Sequence, residues 1–216
     1  VSYPVLSSIQ NDPKRLKDAY RRIIKTTMLI TFTCMIGLAA IAKPLIIVLI
    51  GEKWLQAVYF LQIVCFAGML YPLHAINLNI LQVKGRSDLF LNLEIIKKII
   101  AVGPIVVGVF CGIEYMLWGS VLTSFISFFL NSYYSADLIN YPTWQQIKDI
   151  LPALLVSGIT ALTMWSLTLV DMPMCFLLLL QCLLGLILST FIYERLQLEE
   201  YLEVKRIILS LLNRKK

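Results

Sequence analysis

Six long stretches of the sequence are almost entirely apolar, and each is close to the length needed to cross a lipid bilayer. A membrane-spanning helix needs about 20 mostly apolar residues to cross about 30 Å of hydrocarbon. The six predicted spans cover about 26–42, with an apolar extension over 44–50, and about 57–81, 89–111, 115–134, 150–170 and 174–192. Apolar and aromatic residues make up 59% of the 216 residues and charged residues only 15%, with a mean hydropathy of +0.80. A soluble domain of this size cannot bury so much apolar surface, so the sequence predicts a protein embedded in lipid.

The spans are predicted to be helices, because open strands cannot pair their backbone polar groups in lipid. The ten-residue alternating pattern of a membrane barrel is not found in any of the six. Helix-end signals lie between the spans: Asp12 precedes a proline, Gly85 is followed by Ser87, and Thr143 with Gln146 fits a capping box. The predicted fold class is therefore all-α, a polytopic membrane protein with six transmembrane helices and an amphipathic C-terminal helix.

Basic residues are concentrated on one side of the predicted topology. Of the 19 lysine and arginine residues, only Lys43 and Lys53 fall on the other side, when Lys97 and Lys98 are counted with the loop that they follow. Cytoplasmic loops carry this excess of basic residues, so both ends of the chain are predicted to be cytoplasmic. Three parts follow: a basic cytoplasmic lead-in (1–25), a six-helix transmembrane domain (26–192) and a cytoplasmic amphipathic tail (193–216). Since the chain opens on Val1 and closes on a charged tail, we expect it to be the C-terminal part of a longer protein.

The tail is predicted to form a helix with one apolar face. That face carries Leu198, Tyr201, Leu202, Ile208, Leu209 and Leu212, while Glu199, Glu203 and Arg206 lie opposite. Such a helix can lie on the anionic cytoplasmic leaflet with Arg214, Lys215 and Lys216 as its anchor; the alternative is a solvated tail. Membrane topology already accounts for the net charge of +6, so no nucleic-acid partner is expected.

The third span contains charged residues, which are costly in lipid and therefore informative. Glu94 can reach Lys97 or Lys98 at helical spacings. One interpretation is a cationic patch in a water-filled cavity that neutralises an anionic substrate. The other is that both lysines extend to the lipid head groups from a protruding helix end.

The second span carries His74 and Asn77, three residues apart and hence predicted on one helix face. They either face a hydrated cavity or form hydrogen bonds between helices, and His74 could also sense protons. Gly68 and Pro72 in the same span predict a bend. The spacings of the single histidine and the five cysteines fit no metal site, so no cofactor or metal is expected.

Several strings resemble one family, the polysaccharide-biosynthesis flippases of the MOP superfamily, of the O-antigen and colanic-acid type. They are VSYPVLSSIQNDPKRLKDAYRRI, AKPLIIVLIGEKWLQAV, LNILQVKGRSDLFLNLEIIKK and WQQIKDILPALLVSGI. The resemblance covers about Val1 to Ile159 and implies the C-terminal lobe of a MATE-like two-lobe transporter with 12 to 14 helices in the bacterial inner membrane. Such proteins move undecaprenyl-pyrophosphate-linked oligosaccharide between leaflets by alternating access. The implied partners are that lipid-linked oligosaccharide, membrane lipids and the N-terminal lobe of the full-length protein.

Three other functions make different demands on the residues. A multidrug antiporter of the same superfamily would need an acidic residue deep in a span, but Glu94 lies beside two lysines. A membrane enzyme such as a polyprenyl-phosphate glycosyltransferase would need clustered acids in a sizeable loop, whereas the loops of this chain are short and carry isolated acids, so no enzyme is expected. A membrane assembly subunit that only packs against partners is the third alternative.

Overall fold

The computed structural model describes the backbone of residues 2–213 and the side chains of residues 3–206, and this part is helical without strands. The α-helices are α1 (Ser2–Ser8), α2 (Pro13–Ile50), α3 (Leu55–Gly68), α4 (Tyr71–Val83), α5 (Ser87–Cys111), α6 (Ile113–Ile139), α7 (Thr143–Ser166), α8 (Met174–Arg195) and α9 (Glu199–Asn213). Two short 3-10 helices, Glu52–Trp54 and Leu167–Leu169, precede α3 and follow α7. The all-α prediction is confirmed.

Five helical segments in the described residues are long and apolar enough to cross a membrane: Pro13–Ile50, Glu52–Val83, Ile113–Ile139, Thr143–Leu169 and Met174–Arg195. The third predicted span is the 25-residue helix α5, but its Glu94, Lys97 and Lys98 separate it from the five apolar ones. The six predicted spans thus correspond to five strongly apolar segments and one charged helix.

Helix α2 is longer than a single span. The Asp12 side chain accepts a hydrogen bond from the Arg15 backbone N–H at 3.0 Å, which confirms the predicted cap. At about 1.5 Å per residue, the 38 residues of α2 extend about 57 Å, so residues 13–25 of the basic lead-in and the first span form one continuous helix. The helix ends at Gly51, whose φ of 92° suits glycine.

The second predicted span is divided. Helix α3 ends at Gly68, and α4 begins at Tyr71 with Pro72 in its first turn, so the bend predicted from Gly68 and Pro72 lies at 69–70. Proline fits this position because the first helical N–H groups have no partner within the helix. By contrast, Pro104 and Pro152 lie inside the continuous helices α5 and α7.

The two other capping predictions need correction. Helix α4 is followed by Gly85 at a φ of 69°, as expected. The N-terminal cap of α5 is Arg86 and not Ser87, and the Arg86 side chain makes no capping hydrogen bond. Helix α7 is preceded by Pro142 and has no capping box. The Thr143 hydroxyl instead forms a hydrogen bond with the Ser132 hydroxyl at 2.9 Å, and Gln146 is fully buried. Contacts with other helices thus engage the two side chains that the capping box would have used.

Helix α2 lies at the centre of the bundle and packs on α3, α4, α7, α8 and α9, while α5 packs mainly on α6. Contacts between distant parts of the chain define one end, which we call the basic end. There the Lys17 ammonium donates to the Asn140 carbonyl, Lys84 Nζ donates to the Gln10 carbonyl at 3.3 Å, and Arg21 pairs with Asp149. The opposite end carries the 3-10 helices and the α5–α6 connection.

Helix α9 is held against the basic end by charge and by aromatic contact. Lys25 pairs with Glu200 and Arg22 with Glu203, and the Tyr201 ring stacks on Tyr193 at 5.7 Å. Leu198, on the predicted apolar face, packs against the core. Ile208, Leu209 and Leu212 lie outside the described side chains, and Arg214, Lys215 and Lys216 lie outside the described residues altogether.

Candidate functional site

A cavity of about 530 Å³ lies between α4, α5 and α6 and contains most of the polar residues predicted for a site. Its lining residues are Tyr71, His74, Ala75, Leu78, Asn79, Gln82, Phe90, Glu94, Lys97, Lys98, Ala101 and Ser127. This volume lies within the range of about 300–1,000 Å³ of small-molecule sites. The cavity extends from Gln82, close to the basic end, to Tyr71 at the start of α4. We call it the basic cavity.

Lys97 is the most enclosed charge of the basic cavity. It follows the start of α5 at Ser87 by ten residues, or about 15 Å at 1.5 Å per residue. Its ammonium group pairs with the Glu94 carboxylate one turn closer to the basic end, and the two side chains are 16% and 34% exposed. The Lys97 side chain is therefore partly enclosed in the basic cavity and paired there with Glu94.

Lys98 gives the basic cavity its excess charge. Both lysines and Glu94 line the cavity, and no other acidic residue does so within the described residues. Two positive charges and one negative charge leave a formal net charge of +1 while His74 is neutral. Lys98 is exposed and has no acidic partner among the described side chains, so its charge is available to a ligand.

His74 lies in the same cavity as the lysines. Its Nε2 atom is 3.2 Å from the Ser124 hydroxyl of α6, and its buried Nδ1 atom has no partner among the described residues. This bond joins α4 to α6 at the cavity wall. The predicted set of Lys97, Lys98, Glu94 and His74 is thus brought together from two helices by the packing of α4, α5 and α6.

Asn77 does not line the basic cavity. It is fully buried on a neighbouring face of α4, where its Oδ1 accepts hydrogen bonds from the Tyr20 hydroxyl and, at 3.2 Å, from the Ser135 hydroxyl. Its Nδ2 donates to Gln146 Oε1 at 3.3 Å. Asn77 therefore joins α2, α4, α6 and α7, which is the interhelical role that was the alternative to a hydrated cavity.

A second cluster of polar side chains lies at the basic end, next to the Asn77 network. Arg21 Nη2 donates to Asp149 Oδ1 at 2.6 Å, and the Tyr141 hydroxyl donates to Asp149 Oδ2 at 2.6 Å. Burial, followed by the bond to the Asp149 carboxylate, raises the pKa of Tyr141 above its ordinary value. The Tyr141 ring meets the Tyr20 ring edge to face at 6.0 Å, so the two polar groups are adjacent.

Three polar residues of this region were missed from the sequence: Ser124, Ser127 and Asn131. All three belong to α6, at spacings of three and four residues, which place them on one helix face. Polar residues repeated at this spacing in an apolar helix are the signal that could have found them. The described part of the chain contains no group of three His, Cys, Asp or Glu residues that could hold a metal ion.

Comparison with known proteins identifies relatives of this chain. Residues 1–59 match the family described as "Polysaccharide biosynthesis protein". The "Uncharacterized membrane protein in cps region" of Klebsiella pneumoniae is 33% identical over 100 residues, which is 46% of this chain and 21% of that protein. The lipopolysaccharide biosynthesis protein WzxC of Escherichia coli strain K12 is 25% identical over 108 residues, or 50% of this chain and 22% of that protein.

A third relative comes from Bacillus subtilis. The teichuronic acid biosynthesis protein TuaB of Bacillus subtilis strain 168 is 30% identical over 89 residues, or 41% of this chain and 18% of that protein. The chain therefore spans about a fifth of the length of the curated relatives that it matches. No solved structure matches it. These matches confirm the resemblance found in the sequence strings.

Proposed function

We propose, from the premise that this chain is related to the polysaccharide-biosynthesis membrane proteins, that it forms part of a flippase for lipid-linked saccharide. The cargo is an undecaprenyl-pyrophosphate-linked oligosaccharide, which moves across the bacterial inner membrane by alternating access. The resemblance to this family supplies the cargo class, and the relatives support a role in polysaccharide biosynthesis.

The observation that carries the proposal is the position of Lys97 and Lys98 in one cavity, near the middle of α5. A pyrophosphate group cannot enter hydrocarbon without compensation of its charge. Lysine ammonium groups can meet phosphate oxygens as point charges, and hydroxyl groups of Tyr71 and Ser127 in the lining can donate hydrogen bonds to a sugar. The basic cavity has both kinds of group.

The Lys97–Glu94 pair allows Lys97 to gain a second partner when the cargo binds. Without cargo, Glu94 compensates the Lys97 charge, which lowers the cost of an ammonium group at this depth. With cargo, the pyrophosphate would add a second partner for Lys97 and a first one for Lys98. The carboxylate of Glu94 also opposes the phosphate charge, so it limits how tightly the cargo is held and favours its release.

The orientation is proposed from the positive-inside rule. Residues 1–25 and 193–216 would lie on the cytoplasmic side, and residues 26–192 would span the membrane, with the basic end facing the cytoplasm. The basic cavity would then receive the cargo from the leaflet in which it is made. The N-terminal lobe of the full-length protein and the surrounding lipids would complete the transport path.

The test replaces Lys97 and Lys98 together with glutamine in the full-length protein. We expect surface polysaccharide to be lost and lipid-linked oligosaccharide to accumulate in the inner membrane, because the pyrophosphate loses both countercharges. The matched control is Lys148→Gln, which removes an exposed lysine that stacks over Trp144 outside the cavity. Protein amounts in the membrane are measured by immunoblot for both variants. Wild-type export by the double variant would refute the proposed role of the lysines.

A further inference from the structure

One face of α6 carries a row of polar residues that is directed at α4. Ser124, Ser127, Asn131 and Ser135 follow each other at spacings of three, four and four residues, which keeps them on one side of the helix. Ser124 contacts His74 of α4 at 3.2 Å, and Ser135 contacts Asn77 of α4 at 3.2 Å. The row is about 16 Å long at 1.5 Å per residue. We call it the α4–α6 polar seam.

Asn131 lies in the middle of the α4–α6 polar seam without any partner. Its side chain is 0% exposed, and neither Nδ2 nor Oδ1 has a hydrogen bond among the described residues. Six buried side-chain atoms in the described part of the chain have no partner, and four of them belong to His74, Asn131 and Gln146. His74 bonds a seam residue, and Gln146 bonds Asn77, so the unpaired atoms cluster on and beside the seam.

An unpaired amide at this position would be strongly unfavourable. Transfer of an amide from water to apolar surroundings is costly when no hydrogen bond replaces those made to water. The Ser135 hydroxyl does not satisfy Asn131, since its single proton is shared between Asn77 Oδ1 and the Ser132 carbonyl, each at 3.2 Å. A buried water molecule typically makes about three hydrogen bonds to such groups. Asn131 offers polar partners for such a molecule, and the seam meets the basic cavity at Ser127.

We propose that ordered water molecules bind at Asn131 and connect the basic cavity, through the α4–α6 polar seam, to the Asn77 and Gln146 carboxamides near the basic end. The ligand is water, because the site is enclosed, uncharged and lined by amide and hydroxyl groups. The seam then supplies a hydrated path along α6 that is separate from the mouth of the basic cavity. This inference does not rest on the proposed function, since hydration of the seam can be measured without transport.

The experiment measures the access of water to single cysteines in a cysteine-free version of the full-length protein. Asn131→Cys and Ser135→Cys are each treated with the small reagent 2-aminoethyl methanethiosulfonate. The matched control is Val156→Cys, because Val156 is 3% exposed in the apolar core and its replacement keeps a similar volume. Only variants that elute as single, monodisperse species are compared.

We expect the cysteines at 131 and 135 to react at least about tenfold faster than the cysteine at 156, since the reactive thiolate forms where water is present and is suppressed in dry apolar surroundings. Asn131→Leu placed in the Ser135→Cys protein is expected to slow the reaction at 135, because it interrupts the path. Rates at 131 and 135 no faster than at 156 would overturn the proposal. An unchanged rate at 135 in the presence of Asn131→Leu would overturn the role of Asn131. The Ser135→Cys protein keeps the test decisive if the Asn131→Cys protein does not fold.

Discussion

The buried Asn77 carboxamide provides the sharpest prediction for stability. It joins four helices through three side-chain bonds, with Tyr20, Ser135 and Gln146. Asn77→Leu keeps the number and branching of the side-chain heavy atoms and removes all three bonds. The Tyr20 hydroxyl then loses its acceptor and the Gln146 oxygen loses its donor, while Ser135 keeps its bond to the Ser132 carbonyl.

The expected cost follows from two bounds. Interhelical hydrogen bonds in membrane proteins contribute about 0.6 kcal/mol each on average, so three bonds give a lower bound of about 2 kcal/mol. An unsatisfied buried group costs about 1–3 kcal/mol, so two such groups give an upper bound of about 6 kcal/mol. Tyr20→Phe alone removes a single bond and leaves Asn77 Oδ1 paired with Ser135, and we expect it to lower the free energy of unfolding by about 1 kcal/mol.

The decisive result is the sign of the change in the free energy of unfolding that Tyr20→Phe causes, first in the unmodified protein and then in the Asn77→Leu protein. In the Asn77→Leu protein the Tyr20 hydroxyl has lost its Asn77 acceptor, so its removal should be neutral or stabilising. The double variant should therefore be no less stable than Asn77→Leu alone. The free energy of unfolding of the full-length protein is measured in mixed micelles by far-ultraviolet circular dichroism, with the four proteins of a double-mutant cycle.

The control for this cycle is Tyr115→Phe. Tyr115 is 59% exposed, and its replacement should leave the free energy of unfolding unchanged in both backgrounds. If Tyr20→Phe lowers stability equally with and without Asn77, the two groups do not act through the bond between them. The stabilising role of the Asn77 network would then be refuted.

The remaining predictions concern charges. Glu94→Gln raises the formal charge of the basic cavity from +1 to +2, so a pyrophosphate-bearing ligand should bind about tenfold more tightly, or 1.4 kcal/mol, in a competition assay. The control is Asp88→Asn, which loses the pairing with Arg86 outside the cavity. Unchanged affinity of the Glu94→Gln protein would contradict the charge argument. The double replacement Glu200→Gln with Glu203→Gln should speed backbone hydrogen exchange of residues 199–206, because the ion pairs with Lys25 and Arg22 are lost. High salt should have the same effect on the unmodified protein, because it screens these pairs. Equal exchange rates at low and high salt would show that the pairs do not hold α9. The bond to Glu194 raises the pKa of Lys205, so that contact should persist at neutral pH and be lost only as the pH rises through the raised value.

Hydropathy predicts where the helices lie because apolar length determines which segments can cross a bilayer. It does not predict where α2 begins, since the lead-in around Tyr20 and Arg21 carries many charges on the side that faces away from the core. Tyr20, Ile24 and Met28 nevertheless recur at four-residue spacing and are fully buried. Burial of this one face explains why the helix continues through the basic segment.

The candidate site could be predicted only in part, because a small rotation around a helix changes the neighbour of a side chain. His74 and Asn77 lie about 60° apart on α4, and that angle separates the basic cavity from the interior facing α2 and α7. Gln146 matched a local capping pattern, yet it is buried against Asn77. Which helix faces which partner depends on tertiary packing, and a single sequence contains no direct record of it.

The pairing of Lys97 with Glu94 bears on how a basic cavity can exist within a membrane. Two uncompensated lysines at mid-span would be costly without cargo, and a fully neutral cavity would not attract a phosphate. A cavity with two lysines and one glutamate lies between these two cases. Glu94 compensates the charge of Lys97 inside the cavity, and Lys98 is exposed at its edge. Under the proposed function, an anionic ligand would meet the exposed Lys98 first and Lys97 second, as a partner added beside Glu94.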